Sequence, residues 1–530
     1  MRKFIIVNCF FLLSFFYLSA QTPNIEWQKC FGSPGYDYSF DICNSADSNF
    51  VVIGSAFADD SSAFDGLEGI GQQLSFWVVK FDNSGDTIWT KKLGGSFNDM
   101  GWSVQMTNDY GYILAGSVWS NDGDIHGNHG CDDYWVVKLN SDGDTIWTND
   151  FGGITCEEAK SIKQTTDGGY IISGTTNTPN VNDIWGNHID SSTFASDFWV
   201  VKLNNLGDTL WTRCYGGNYE EYSESIIQTL EGGYLICGCA TSLDGDVSGN
   251  NGQNDVWVVK TDSMGDIAWE KCYGGSQDDY ATSAIQVNDS MFVITGYTYS
   301  NNGDVHGNHG NADFWVLKIN NLGDTIWTKT FGGLGDDIAN SIVQTDDGQY
   351  AILGSTTSDN GICLSNHGQN DYLLIKIDSN GQLVWNKCLG GTKNDFGESI
   401  KISYDGGYVL TGYSQSTDGD VTGFLGGYDY WVVKLSETTN DEVSNNVEKI
   451  IKIFPNPIKN ALNIVFYSES NYRTKVSIKD ITGRLISEFD INTQNGKNTY
   501  CWHPKIDLSK GVYLLTLTQN GNTETRRFVK

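Results

Sequence analysis

Six of the seven histidines fall in a family of related acidic loops, and these loops hold the residues best suited by type and spacing to chemistry. They read SNDGDIHGNHGCDD, SLDGDVSGNNGQND, SNNGDVHGNHGNAD, SDNGICLSNHGQND and STDGDVTGFLGGYD, with IWGNHID inside a longer one. His126, His129, His188, His306, His309 and His367 supply nitrogen, and Asp122, Asp124, Asp244, Asp246, Asp304, Asp418 and Asp420 supply oxygen, so a cation or a polar ligand could be held here. The EF-hand order is absent, because the acids run Asp-Gly-Asp with no bidentate Glu at the required distance. Asp, Asn and Gly also close turns through side-chain to backbone hydrogen bonds, and the sequence favours that use over metal. No resident cofactor is expected, and calcium is the one cation these loops leave open.

A second ring of acids follows a recurrent Gly-Gly: Asp37, Asp99, Glu158, Glu221, Asp279, Asp337 and Asp395. A catalytic site needs one asymmetric constellation, so a carboxylate copied seven times is expected to cap loop amides instead. GxSxG, P-loop and HExxH patterns do not occur, and no catalytic residue is singled out.

The elements that must position these loops come from a repeat. A unit ending in aromatic-Trp-Val-Val-Lys places its lysines at 80, 138, 202, 260, 318, 376 and 434. Nine residues after each of the first six lysines stands a Trp (89, 147, 211, 269, 327, 385), with a Gly midway. Apolar alternation on both sides of that turn predicts a β-hairpin. Strands of the type SIVQT and YIISGT, joined by an Asp-Gly-Gly-Tyr turn, bring each unit to four strands. Trp27 opens the series without a preceding Lys and Lys434 closes it without a following Trp, so the N-terminal strand is expected to complete the last unit. The fold class is therefore all-β: a seven-bladed β-propeller of four-stranded blades over residues 22–437, closed by its N-terminal strand. A Gly in strand two of every copy (54, 116, 174, 238, 296, 354, 412) predicts close approach between blades. The strand-three residues Trp77, Trp135, Trp199, Trp257, Trp315, Leu373 and Trp431 read as inter-blade core, whereas Trp119 and Trp185 are isolated extras. Loops between strands two and three share one face with the blade-to-blade connections, and that variable face is the expected working surface.

With 61 Gly against 6 Pro and 13% aromatic residues, the composition suits many short strands and tight turns. A formal charge of −32 argues against nucleic acid and anionic lipid as partners. Residues 1–20 carry Arg2 and Lys3, an apolar run and Ser19-Ala20, which is a signal-peptide pattern; Cys9 lacks a lipoprotein box. No other stretch reaches the length of a membrane span. Of the cysteines left after cleavage, Cys30, Cys214, Cys272 and Cys388 occupy equivalent sites on separate blades and are not expected to bridge one another, while Cys237 and Cys239 share a strand face.

The repeat, with GD-x-x-GNHG-x-x-D-aromatic-WVVK and GGY-x-x-x-G, resembles propeller-like repeats in large secreted proteins of Bacteroidetes-type bacteria; its likeness to quinoprotein dehydrogenase propellers concerns fold alone. After a polar linker over 438–448, residues 449–530 resemble the type A C-terminal sorting domain of the type IX secretion system. Phe454-Pro455-Asn456-Pro457 stands where that family has Tyr-Pro-Asn-Pro, followed by Gly483 and Arg484 in IKDITGRLI, by Lys510-Gly511-Val512-Tyr513, and by a basic end at Lys530. The resemblance implies a small Ig-like β-sandwich read by the type IX translocon and its sorting machinery. It also implies a protein secreted or attached to the outer cell surface. The leading functional expectation is a non-enzymatic binding or adhesion module for a glycan, matrix or protein partner. An extracellular polysaccharide- or peptide-processing enzyme is the alternative, and a structural surface spacer the third reading.

Overall fold

The alternating apolar residues pair as antiparallel strands, and the computed structural model gathers them into seven four-stranded sheets followed by a two-sheet tail. The residues described are 22–57, 73–188, 195–288, 290–436, 452–454, 458, 462–468, 473–480, 484–494, 496–504, 508–509, 511–519 and 522–530. The signal peptide, Cys9, the linker, Pro455, Asn456, Pro457, Gly483 and Lys510 lie outside them.

The first blade is β2 (Asp37–Asn44), β3 (Phe50–Phe57), β4 (Leu74–Phe81) and β5 (Thr87–Leu93), running from the ring's centre outward. In the seventh blade, β1 (Ile25–Phe31) pairs with Asp429–Leu435 as the outermost strand, setting Trp27 opposite Lys434 and Cys30 opposite Trp431. Closure by the N-terminal strand is thus as the complementary chain ends predicted. No sheet of the ring is left with three strands.

Blades are joined by an aromatic relay. At five of the seven junctions the aromatic residue before the strand-three Trp or Leu reaches the Trp of the next blade: Phe76 to Trp135 at 4.8 Å between ring centres, Tyr134 to Trp199 at 4.4 Å, Phe198 to Trp257 at 4.7 Å, Tyr372 to Trp431 at 4.6 Å and Tyr430 to Trp77 at 4.6 Å. Where that residue is Tyr its hydroxyl also donates to a Trp carbonyl, as Tyr430 does to Trp77 at 3.1 Å. The Trp series is core, as the sequence indicated, and each pair adds directional preference to the area it buries. Trp119 and Trp185 are exposed instead.

The strand-two glycines have a different reason from the one expected. A Cβ on Gly54 would strike first the Tyr38 carbonyl oxygen of its own blade, and only then the Tyr430 hydroxyl of its neighbour. Strand one bulges at this level, with pairing skipping from Ser39 to Asp41, and the bulge pushes its carbonyl into the space a side chain would need. The crowding is chiefly within a blade.

Two sets of buried charges recur. The lysine of Trp-Val-Val-Lys is buried and pairs with the acid of the hairpin joining strands one and two: Lys138 with Asp109 at 3.0 Å, Lys376 with Asp347 at 2.7 Å, and Lys434 with Asp405 at 2.9 Å. Lys434 also holds Glu26 of the closing strand at 2.9 Å. The ring of acids after Gly-Gly is buried and caps amides as expected. Asp99 accepts from the Gly95 N–H at 2.8 Å and from the Ser120 hydroxyl at 2.8 Å, and Asp395 accepts likewise from Gly391 and Ser416. In blade three its member is Glu157, bonded to Gly153 at 2.8 Å, and not Glu158, which is exposed and pairs with Lys160 at 2.9 Å. The adjacent pair Glu157-Glu158 hid the register.

Cys388 does bridge, but to Cys363 in the loop of its own blade, and Cys131 bridges Cys156. Cys30, Cys214 and Cys272 remain thiols, and Cys237 and Cys239 are buried thiols. In the tail, Lys452–Phe454, Leu462–Ser468 and Gly496–Trp502 form one sheet, and Leu485–Asn492, Arg473–Asp480, Val512–Gln519 and Asn522–Val529 the other. Ile464, Phe466, Val476, Ile478, Leu515 and Phe528 fill the space between them, making the expected sandwich.

Candidate functional site

On the loop face, the seven candidate aspartates are spent on backbone amides of the preceding Gly-Gly connections. Asp122 accepts from Ser96 N–H (2.7 Å), Asp244 from Asn218 (2.9 Å) and Asp418 from Thr392 (2.8 Å). Asp124, Asp246, Asp304 and Asp420 accept from Gly94 (3.1 Å), Gly216 (3.4 Å), Gly274 (3.3 Å) and Gly390 (3.3 Å). Four histidines turn inward to a buried Asp at the start of strand three, through Nδ1: His129 to Asp133 at 2.9 Å, His188 to Asp197 at 2.9 Å, His309 to Asp313 at 2.6 Å and His367 to Asp371 at 2.7 Å. The bond to Asp197 pushes the His188 imidazole up in pKa, and burial only partly opposes it. His126 and His306 are exposed on the same face. The candidate residues therefore spread around the rim, one set per blade, and do not converge.

Convergence occurs at the centre. The innermost strands of successive blades adjoin around the axis, and each carries the bulge described for β2. The residue each bulge leaves unpaired is Phe40, Trp102, Lys160, Glu224, Thr282, Asn340 or Glu398. Its neighbours repeat from blade to blade, but these seven positions hold six residue types. Phe40 lies 4.2 Å from the Trp102 ring, and Lys160 Nζ stands 3.6 Å from that ring's centre. Thr282 donates to the Ala339 carbonyl at 2.8 Å and Asn340 to that of Gly397 at 2.8 Å, so these two tie inner strands together.

The charges there are asymmetric. Glu398 is pushed up to about 7 by burial and by the field of Glu224, against the pull of Lys160. Glu224 is raised by burial and by Glu158, again opposed by Lys160, although it keeps water access inside the channel. One residue further along, blade one replaces the Ser of all other copies with Asp41, which lies 3.2 Å from Lys401 and accepts from Ser399 at 2.8 Å. Burial works against the Asp41 charge, but Lys401 and Lys163 hold its pKa below the usual carboxylate value. Nearer the loop face, aromatic rings gather on two sides: Tyr36, Tyr38, Phe396, Tyr413 and Tyr428 on blades seven and one, and Tyr280, Tyr297 and Tyr299 on blade five. The signal for this site is legible once the copies are aligned. SFD, GWS, AKS, SES, ATS, ANS and GES differ mainly at their middle residue.

In the tail, Tyr513 donates to the Ser509 carbonyl at 2.8 Å and stacks on Phe528, and Arg484 pairs with Asp480 at 3.0 Å. Gly511 and Lys530 exchange two backbone hydrogen bonds of 3.1 and 3.0 Å, so the last residue is held against the start of the Lys-Gly-Val-Tyr strand. Three of the predicted sorting residues, Gly511, Tyr513 and Lys530, thus meet on one pair of strands.

Comparison with known proteins matches residues 452–530 to the secretion system C-terminal sorting domain. A curated relative, the regulatory protein FlaEY of Caulobacter vibrioides, is 23% identical over 264 residues, 46% of this chain and 26% of that protein. The chain spans about a quarter of the length of the curated relative it matches. Among solved structures, the Pan2 WD40 domain of Neurospora crassa is 8% identical with a TM-score of 0.40, covering 78% of this chain and 98% of that one. PorZ, a surface component of the type-IX secretion system of Porphyromonas gingivalis, is 12% identical with a TM-score of 0.32, covering 96% and 75%. Likeness at this level carries no inference about activity. The sorting tail expected over residues 449–530 is matched over nearly all of that length: residues 452–530 are a secretion system C-terminal sorting domain, and the propeller ahead of them is exported and then attached to or released from the cell surface.

Proposed function

We propose that this exported propeller binds a glycan at the loop-face mouth of its central channel and does not turn it over. The observation that carries the reading is the bulge ring, the inner-strand level at which the seven copies differ most, with six residue types in seven places. Aromatic faces suit the apolar side of a sugar ring, and carboxylates, an ammonium and an amide suit its hydroxyls. Phe40 and Trp102 would form the platform, with Glu224, Glu398 and Lys160 as the polar partners. The expected loop-face ligand is thereby moved inward, and the rim acids and histidines keep the mouth in shape.

A glycan array probed with the mature full-length protein tests this. Binding to a defined glycan class is expected, lost in Trp102→Ala and Glu398→Gln, and retained in His126→Ala and His306→Ala. Loss in the rim variants with retention in the channel variants would overturn the placement. One observation favours a second reading: Glu398, raised to about 7 within the field of Glu224, could serve as a general acid in sugar or peptide hydrolysis. Release of reducing ends from a bound glycan, abolished by Glu398→Gln, would decide for it.

A further inference from the structure

We propose that the junction of blades two and three is a site for one divalent transition-metal ion, held by Asp133, Asp150, Asp183 and His129. Asp133 is fully buried, and its Oδ2 takes the backbone N–H of His129 at 2.8 Å and faces Nδ1 at 2.9 Å, whereas its Oδ1 has no hydrogen-bond partner. An unpaired buried carboxylate oxygen is costly, and needs either a proton or a cation. The same orphan recurs at Asp197, Asp255, Asp313, Asp371 and Asp429, so the orphan alone does not mark a site.

The surroundings do. Three residues after the outer-strand Trp the other blades place Lys92, Cys214, Cys272, Thr330, Cys388 and Cys30; blade two alone places a carboxylate, Asp150. Donor atoms of His129, Asp133 and Asp150 lie within 4.8 Å of one another. The next blade adds Asp183, which accepts from the Gly152 N–H at 3.3 Å as the rim acids of other blades do from theirs, and Asp133 Oδ1 lies against the same Gly152, so it is Asp150 that sets this junction apart. Three carboxylates thus surround one imidazole, which even when charged offsets only one of them. A divalent ion would neutralise the remainder and give the orphan oxygen its partner. One nitrogen with carboxylate oxygens is a donor set for zinc and its neighbours, where calcium would ask for oxygen alone. The His129 ring is partly exposed and offers the way in.

The test is zinc binding by equilibrium dialysis on the mature full-length protein, with cobalt(II) absorption as a second readout. One saturable equivalent is expected, weakened at least tenfold in Asp150→Asn and in Asp183→Asn, with the variants' circular dichroism and melting unchanged when no metal is added. The Asp124→Asn variant, altered in a rim acid of blade two, should bind as the native protein does. Cobalt should show ligand-field bands without a thiolate charge-transfer band, which separates this site from Cys131, Cys156 and the free cysteines. Absence of saturable binding, a thiolate band, or undiminished affinity in Asp150→Asn would overturn the proposal.

Discussion

The ammonium of Lys160 stands 3.6 Å from the centre of the Trp102 ring, on the adjoining inner strand, and the same ammonium partly offsets the upward pKa shifts of both Glu224 and Glu398. One cation therefore links the aromatic and the acidic sides of the channel. In Lys160→Met the methylene stem is largely kept and the charge is lost, so the Glu398 carboxyl should titrate above its present value of about 7. Carboxyl chemical shifts followed against pH check this; an unmoved midpoint would show that Lys160 does not act there.

The ring's closure rests on a buried cation. Lys434 is fully buried and meets Asp405 and Glu26, both at 2.9 Å. Removing one partner of a buried pair leaves the rest uncompensated, at about 3 kcal/mol or more. Lys434→Met should lower the melting temperature and speed proteolysis of residues 22–31, while the same change at the half-buried Lys91 should do neither.

Stability should fall from mildly acidic to alkaline pH. Burial raises Asp37, Asp99 and Asp395 to about 6, and Glu157, Glu221, Asp255 and Asp429 to about 7. Folded values above unfolded ones mean that the native state binds more protons between about 4 and 7. Their contribution is complete below the unfolded values and is lost as pH rises through the folded ones. Calorimetry should give a higher melting temperature at pH 5.5 than at pH 8; the reverse order would show that the amide caps, not burial, decide these groups.

Reduction of the Cys363–Cys388 bridge frees a loop with a sequence separation of 25, worth about 3 kcal/mol of chain entropy. Cys363→Ser should melt earlier than the native protein under oxidising conditions and at the same temperature under strong reductant.

Much of this was legible in the residues. Trp27 and Lys434 are the two halves of one missing hairpin, and their positions alone imply blade number and closure. The strand-three Trp series, copied with one Leu, announced a packing role. What escaped was two-dimensional. The partners of Lys138 and Lys376 lie 29 residues upstream, across two strands, and nothing local marks Asp109 or Asp347 as more than turn residues. The channel ring escaped for the opposite reason: attention to what repeats passes over Lys160 and Glu398, which matter because they do not. At the rim, residue type suggested ligands, yet an Asp beside a Gly-Gly connection is claimed first by the nearest amide, as Asp122 and Asp418 are.

The pairing of Ile25–Phe31 with Asp429–Leu435 also sets an order of events. The first strand to leave the ribosome has its partner among the last made before the tail, about 400 positions on. Six blades can stack on one another as they arrive, each nucleating on the one before. The seventh cannot finish until both ends are present, so an interrupted chain keeps its first strand unpaired and an uncovered blade face at each side. Completion of the circle is thereby coupled to full-length synthesis, and an incomplete product leaves Ile25–Phe31 without its pairing strand and an apolar sheet face bare at each end of its arc.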